Sequence, residues 1–395
     1  MEHVPLVVVG AGAAGIAAAR AARIDGVPTV VLVSAAGGAT EASAGWIVAR
    51  DASRVSVELG WLAGVGLRSP GTYRFASTSG VTVDAVSGHA TLLDLHSLAV
   101  TDTIGVADVD TGPGWSSAIV ARSLSAIVPN AVRVVAPATP LALGNRYAIA
   151  AQAMDTPGRV DGLCESFRSS VAGCAALLFP PVLGLRNDDV AARCSKKLGV
   201  AVGTCGADAG DAVGTWVVAA LGRSLDERVQ RITGTARITG GQGGRGYVRV
   251  GHQEWSADAV VLATGGLAGG GIVFDGAFVE PCAHADVWLD EREDTGGHSL
   301  PLRAAERGLD PTPLFEPDAD GAIRAMGVGV RVLDDHRVAT RDGRAALHSW
   351  LFACGAVVRG GSGVYGGGIA DALIAGADAG RAAARHAQTL RTDGG

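Results

Sequence analysis

Pro5 to Val9 is an unbroken apolar run of strand length, without the alternation of polar and apolar positions that a half-exposed strand shows. A strand covered on both faces is expected there. It ends on Gly10-Ala11-Gly12-Ala13-Ala14-Gly15, and an alanine-rich stretch of good helix formers continues through Arg23. Asp25-Gly26 marks a turn, and Thr29 to Val33 is a second apolar run, so the chain opens with a predicted β-α-β unit. The same reading predicts strands at Asp102 to Ala107, Val132 to Ala136, Ala175 to Phe179, Asp258 to Ala263 and Trp350 to Gly355. Helices are expected at Ser116 to Ile127, before Pro157, and from Ile369 to about His386. Strands alternating with helices point to an α/β fold with parallel sheets.

The glycine spacing at the first strand-to-helix turn is GxGxxG. Gly10 permits a tight turn, Gly12 lets backbone approach a pyrophosphate, and Gly15 lets helix and strand pack closely, with the helix N-terminus facing the phosphates. Strand before and helix after are the context this motif requires, so a dinucleotide or flavin site is expected. The acidic residue that commonly follows the second strand to hold ribose hydroxyls is missing: Val33 is followed by Ser34. FAD is the expected cofactor because the motif exists to hold a pyrophosphate, and FMN stays open because of that serine. Two later segments extend the pattern. Ala263-Thr264-Gly265-Gly266 closes a strand, and Gly355 closes another before Gly361, Gly366, Gly367 and Gly368 lead into the last helix.

Composition narrows the picture. The 395 residues are 48% hydrophobic and 18% charged, too apolar for a disordered chain. Mean hydropathy is +0.28, yet the uncharged apolar stretch Ala259 to Phe274 has 16 residues and five glycines, short of the roughly 20 a spanning helix needs. A net charge of −6 with no basic block argues against nucleic-acid binding. The six cysteines form no CxxC pair, so neither an iron-sulfur cluster nor a zinc site of ordinary spacing is encoded, and no metal is expected. Glu2 and His3 run straight into a strand without a leader-like pattern, and a cytoplasmic location with reduced thiols is the expectation.

GAGAAG, VVLATGG and LFACGAVVRGGSGVYGGGIADALIAGADAG, in that spacing, resemble the fumarate reductase and succinate dehydrogenase flavoprotein superfamily. Within it the chain is most similar to the family that forms the second, flavin-partner subunit of anaerobic glycerol-3-phosphate dehydrogenases. Ser34 after Val33, the Ser43-Ala44-Gly45-Trp46 turn and the Phe179-Pro-Pro-Val-Leu-Gly-Leu strand end carry that likeness, together with Glu280-Pro281 and Met326-Gly-Val-Gly. The resemblance implies a Rossmann-like flavin-binding domain, discontinuous over 1–60, 220–290 and 325–395. An inserted, smaller α/β cap domain is implied at 61–219, and a connecting segment at 291–324. It implies cofactor contacts from Gly10, Ala11, Gly12, Ala14, Gly15, Val33, Ser34, Ser43, Ala44, Gly45, Ala263, Thr264, Gly265, Gly266, Gly355, Gly361, Gly366, Gly367 and Gly368. It also implies partners: a catalytic flavoprotein subunit and a cysteine-rich iron-sulfur subunit, with quinone reached indirectly at the inner face of the membrane.

No strong acid-base set stands out. Substrate oxidation beside a flavin needs a base and cations, and His284, His298 and Arg303 qualify by position, with Arg186 and Arg324 behind them. Cys354 closes an apolar strand and reads as a small buried hydrophobe, not a redox thiol. No histidine lies between His3 and His89, so the segment after the second strand offers no attachment point and the flavin is expected to be non-covalent. Three readings follow: a flavin subunit that relays electrons in a hetero-oligomer, a stand-alone FAD-dependent dehydrogenase or reductase, and a flavin-binding scaffold without redox chemistry of its own.

Overall fold

The computed structural model describes residues 1–35, 38, 40–41, 43–49, 52–111, 114–138, 143, 146–207, 212–240, 243–288, 315–316, 323–358 and 368–393. In chain order, the elements that build its two larger sheets begin with β1 (Glu2–Val9), α1 (Ala13–Ile24), β2 (Val30–Ser34), β3 (Thr103–Ala107), α2 (Ser117–Ile127) and β4 (Ala131–Val135). Next come α3 (Tyr147–Met154), α4 (Pro157–Phe167), β5 (Ala176–Phe179), α5 (Val190–Leu198) and β6 (Ala201–Thr204). The run ends with β7 (Val229–Thr233), β8 (Ala236–Gly240), β9 (Gly246–Val250), β10 (Gln253–Leu262), β11 (Leu351–Ala353) and α6 (Gly368–Asp393). The chain divides into two compact units, one of Met1–Ala39, Ala49–Arg54 and Leu221–Gly395, the other of Thr40–Val48 and Val55–Ala220.

In the first unit a seven-stranded sheet runs β7-β2-β1-β10-β9-β8, with β11 also on β10. β7, β2, β1, β10 and β11 are parallel, while β8, β9 and β10 form an antiparallel meander. Numbered as the chain reaches them, the parallel strands lie third-second-first-fourth-fifth, the order of a Rossmann sheet. The α/β, Rossmann-like class expected from the strand-helix alternation is therefore the one present, assembled from three separated stretches of chain. β10 divides its free edge. Residues 253–257 pair with β9 and Val260–Leu262 with β11, while β1 lies along the opposite edge. β1 and β10 are buried continuously from Val4 and Trp255 onward, which is why they read as apolar runs and not as alternating patterns.

α1 and α6 cross at backbone distance. A Cβ at Gly376 would stand 2.2 Å from the Ala14 carbonyl oxygen, and one at Gly380 would stand 2.3 Å from that of Ala18. Matching four-residue spacings on both helices make this seam. Beneath α6, Asp258 of β10 is fully buried. Its Oδ1 accepts from Arg245 Nε at 2.8 Å, and its Oδ2 faces His3 Nε2 at 3.4 Å and Arg391 Nε at 3.9 Å. One carboxylate thus ties β1, the residue before β9, and the last turn of α6 together.

The second unit has its own four-stranded sheet, β6-β5-β3-β4, parallel throughout. Every residue of β5 is buried, and Phe179 meets Phe167 of α4 edge to face at 5.2 Å. α4 buries Val160, Leu163, Cys164 and Phe167, one stripe at helical spacing. Pro157 opens this helix at its first turn, where its missing N–H costs nothing.

Candidate functional site

The carboxyl ends of β2, β1, β10 and β11 are stitched side by side. Gly10 donates its amide to the Val33 carbonyl (2.8 Å), Ala263 to Val9 (2.7 Å) and Cys354 to Leu262 (2.9 Å). β1 and β10 are the neighbours from which the connections diverge, the place where doubly wound sheets hold ligands. Side chains are excluded there by distance. Gly10 has φ +113°, and a Cβ on it would lie 2.0 Å from the Ala263 carbonyl oxygen. A Cβ on Gly15 would lie 1.6 Å from the Gly10 carbonyl oxygen. Residues 10–15, 263–266 and 355 therefore form a ridge of closely packed backbone whose only side chains are those of alanines and Thr264.

The ridge is electropositive at one point and holds an unpaired hydroxyl at another. α1 starts after Gly12 with no side-chain cap and no acidic residue in its own first turn, and its N-terminus is the positive end of the helix dipole. Thr264 Oγ1 is buried without a hydrogen-bond partner. A backbone cradle, a helix N-terminus and an orphan hydroxyl on one ridge fit a long anionic cofactor with polar edges, and a flavin dinucleotide meets that description. Ser34, at the end of β2, is half-buried. Its hydroxyl donates to the Ile232 carbonyl across the sheet at 3.4 Å, leaving a neutral group where a ribose-binding carboxylate commonly stands. Cys354 is buried and its thiol is pushed up to about 12 by burial, so it stays neutral.

Ser43, Ala44 and Gly45 belong to the second unit, not to the unit that carries the ridge. There Gly45 accepts the His89 amide at 3.0 Å, and Ser43 Oγ is buried without a partner. His89 itself is buried, stacks on Trp216 at 5.2 Å and bonds Thr91 Oγ1 through Nδ1 at 2.9 Å. No periodicity or motif in the sequence marks this histidine; only the pairing of distant turns reveals it.

The expected catalytic residues that the structure describes fall in both units. His284 lies in the first unit, exposed, with φ +55°. Its loop is organised by Glu280, whose buried carboxylate accepts the amides of Cys282 (2.9 Å) and Ala283 (2.7 Å). Burial raises the Glu280 pKa, and the amides oppose it. The Cys282 carbonyl takes the Ile238 amide, in register with Val248 and Trp255, seven residues before Leu262, so His284 is not placed on the ridge. Arg186 is an exposed residue of the second unit, its amide on the Asp155 carboxylate at 3.1 Å. Arg324 opens a short 3-10 turn, Arg324–Gly327. His298, Arg303, Gly361, Gly366 and Gly367 lie outside the described residues, and Gly368 is the first residue of α6.

No protein-family model matches the chain, and no curated protein matches it. Among solved structures it is similar to the open conformation of a flavocytochrome c3 fumarate reductase at 14% identity and TM-score 0.39, over 98% of this chain and 79% of that one. It is similar to Mycobacterium smegmatis Sdh1 in complex with UQ1 at 14% identity and TM-score 0.37, over 99% and 70%. The 3-ketosteroid delta1-dehydrogenase of Sterolibacterium denitrificans aligns at 12% identity and TM-score 0.38, over 98% and 100%. These are distant likenesses, and the functional reading stands on the geometry of the ridge.

Proposed function

We propose that the chain is a flavin-dependent oxidoreductase subunit that holds FAD non-covalently on the ridge between β1 and β10. The observation that carries this reading is the enforced absence of side chains at Gly10 and Gly15, where the chain ends of a Rossmann sheet meet the amide end of α1. Bare backbone at that point suits a pyrophosphate, which FMN lacks. Thr264 offers its unpaired hydroxyl to a polar edge of the cofactor, and α1 supplies the dipole end that favours its phosphates. Bound flavin supplies a two-electron acceptor that also passes electrons singly.

The finer reading is an electron relay of the kind the glycerol-3-phosphate dehydrogenase resemblance implies, working between a catalytic flavoprotein subunit and a cysteine-rich iron-sulfur subunit. That resemblance assigns substrate oxidation to a separate subunit, which favours the relay over a stand-alone dehydrogenase. The test uses Gly12→Val. Gly12 has φ −76° and ψ −172°, extended backbone that residues other than glycine adopt, and the variant, its folding checked by circular dichroism, is expected to lose its flavin if the pyrophosphate lies there. Full flavin content in the folded variant overturns the site. Acid precipitation is expected to release all colour into the supernatant, with FAD identified by mass. Turnover by the isolated chain with a diffusible acceptor overturns the relay.

A further inference from the structure

α4 and α5 pack together in the second unit, and two thiols meet between them. Cys164 of α4 and Cys194 of α5 are unbridged, both are buried, and both belong to the apolar cluster that includes Leu177 and Phe179 of β5. One ion pair fixes how the two helices face each other. Lys197 Nζ reaches Asp161 Oδ1 at 2.5 Å, with Asp161 one turn before Cys164 and Lys197 one turn after Cys194. One turn inward from that ion pair, on each helix of an antiparallel pair, stand the two sulfurs. The Cys194 thiol donates to the Cys164 sulfur, which lowers the Cys164 pKa, and Lys197 and Arg168 act the same way against burial and Asp161. The same bond pushes the Cys194 pKa up, so the shared proton stays on Cys194. One sulfur is disposed to attack and its neighbour to follow, the pairing of a reactive thiol with a resolving one.

We propose that Cys164 and Cys194 are an oxidative modification site, a dithiol that hydrogen peroxide converts to a disulfide joining α4 to α5. Access needs only a local parting of the helices: Asp161, Glu165, Lys196 and Lys197 are exposed around the pair, and an exposed ion pair does little to hold two helices shut. The Cys164 thiolate attacks one peroxide oxygen, the O–O bond breaks, and the departing hydroxide leaves as water, with the sulfur oxidised to a sulfenic acid. Cys194 sulfur then attacks that sulfur, the S–O bond breaks, and the Cys194 proton leaves with the hydroxide as a second water. Two thiols and one peroxide thus give one disulfide and two waters. The link closes a ring of chain around β5 and the loop after it, a loop already tied at its far side by the Asp155 carboxylate, which accepts the amides of Leu185, Arg186 and Asn187. Oxidation stiffens the second unit, and a thiol reductant releases it. Cys174, buried in the same cluster with its sulfur accepting from Arg133 Nε at 3.3 Å, is the internal control.

The folded full chain is treated with hydrogen peroxide in the absence of denaturant, alkylated and digested with trypsin. Two of the six thiols should be lost, and the peptides 160–168 and 194–196 should be recovered cross-linked. The melting temperature should rise by about 5 °C or more, and dithiothreitol should reverse all three changes. Cys194→Ala is expected to stop at the sulfenic acid, trapped by dimedone on Cys164, while Cys164→Ala leaves Cys194 unmodified. The wild-type peptide map reads the link without any substitution, so it decides the proposal even where a variant fails to fold. The proposal is overturned if all six thiols survive in the wild type, if the cross-link joins Cys174, if the oxidised chain melts no higher than the reduced one, or if Cys164→Ala yields a sulfenic acid on Cys194.

Discussion

The two sheets furnish the points where their connections diverge in opposite ways. At the end of β1 the chain is stripped to backbone, because Gly10 and Gly15 leave less than 2.1 Å between a would-be Cβ and a neighbouring carbonyl oxygen. At the end of β3 the chain keeps a carboxylate, a hydroxyl and an aromatic ring within eight residues, Asp108 to Trp115. Recognition by amides and a helix dipole is insensitive to side-chain identity and suits a long anionic cofactor. Topology fixes where a crevice lies, and the residues after the strand decide what chemistry it has.

The comparison breaks most sharply at Gly10. Gly10→Val forces a β-branched residue to φ +113° and drives its Cβ into the Ala263 carbonyl, so a loss of about 3 kcal/mol or more in stability and of all bound flavin is expected. Thermal melting and the visible flavin spectrum check it. A smaller effect sharpens the reading of the ridge. Ser34→Asp puts a carboxylate at the end of β2 and should tighten FAD by about 1 kcal/mol while leaving FMN unaffected, because FMN lacks the adenosine ribose. Equilibrium dialysis with each flavin separates the two.

The smallest effect lies behind the first sheet. His386 of α6 is held below its ordinary value of 6.5 by burial first and by Arg337 second, against the pull of Asp258. The folded chain keeps this imidazole neutral, whereas the unfolded chain takes up its proton near 6.5. Its contribution to stability is therefore present above that pH and lost as pH falls through 6.5 toward the lower folded value. His386 faces the Phe352 ring of β11, Asp258 of β10 and Arg337, while His3, Arg245 and Arg391 surround the same Asp258. His386→Gln should lose less of its urea midpoint between about pH 7.5 and about pH 5.5 than the wild type. An unchanged slope would show that the imidazole titrates normally in the fold.

Much of this was legible where the determining chemistry is local. A GxGxxG turn declares itself because glycine is demanded by the turn, and the apolar runs at Pro5–Val9 and Ala175–Phe179 declare buried strands by lacking alternation. Strand order is another matter. That Gly10 must clear the Ala263 carbonyl depends on β10 lying beside β1, which no residue near Gly10 encodes. Pro157 reads as a helix boundary from its N-terminal side, yet it begins α4, since proline is as welcome at a first turn as it is unwelcome further in. Spacing groups Ser43–Gly45 with the glycine loops; the fold assigns them to the second unit through the Gly45–His89 hydrogen bond, a contact across more than forty residues.

β10 carries one further consequence, for the order of events during synthesis. Its second half acquires a partner on one edge only when Leu351–Ala353 arrive, nearly ninety residues after Leu262 has been made. Until then Val260–Leu262 present unpaired backbone groups from an apolar strand end, the kind of edge on which chains associate wrongly. A ribosome-bound chain ending before residue 351 therefore exposes a nascent adhesive edge at the very end of the sheet where the ridge is built, and the final segment that removes the hazard also completes the ridge with Gly355.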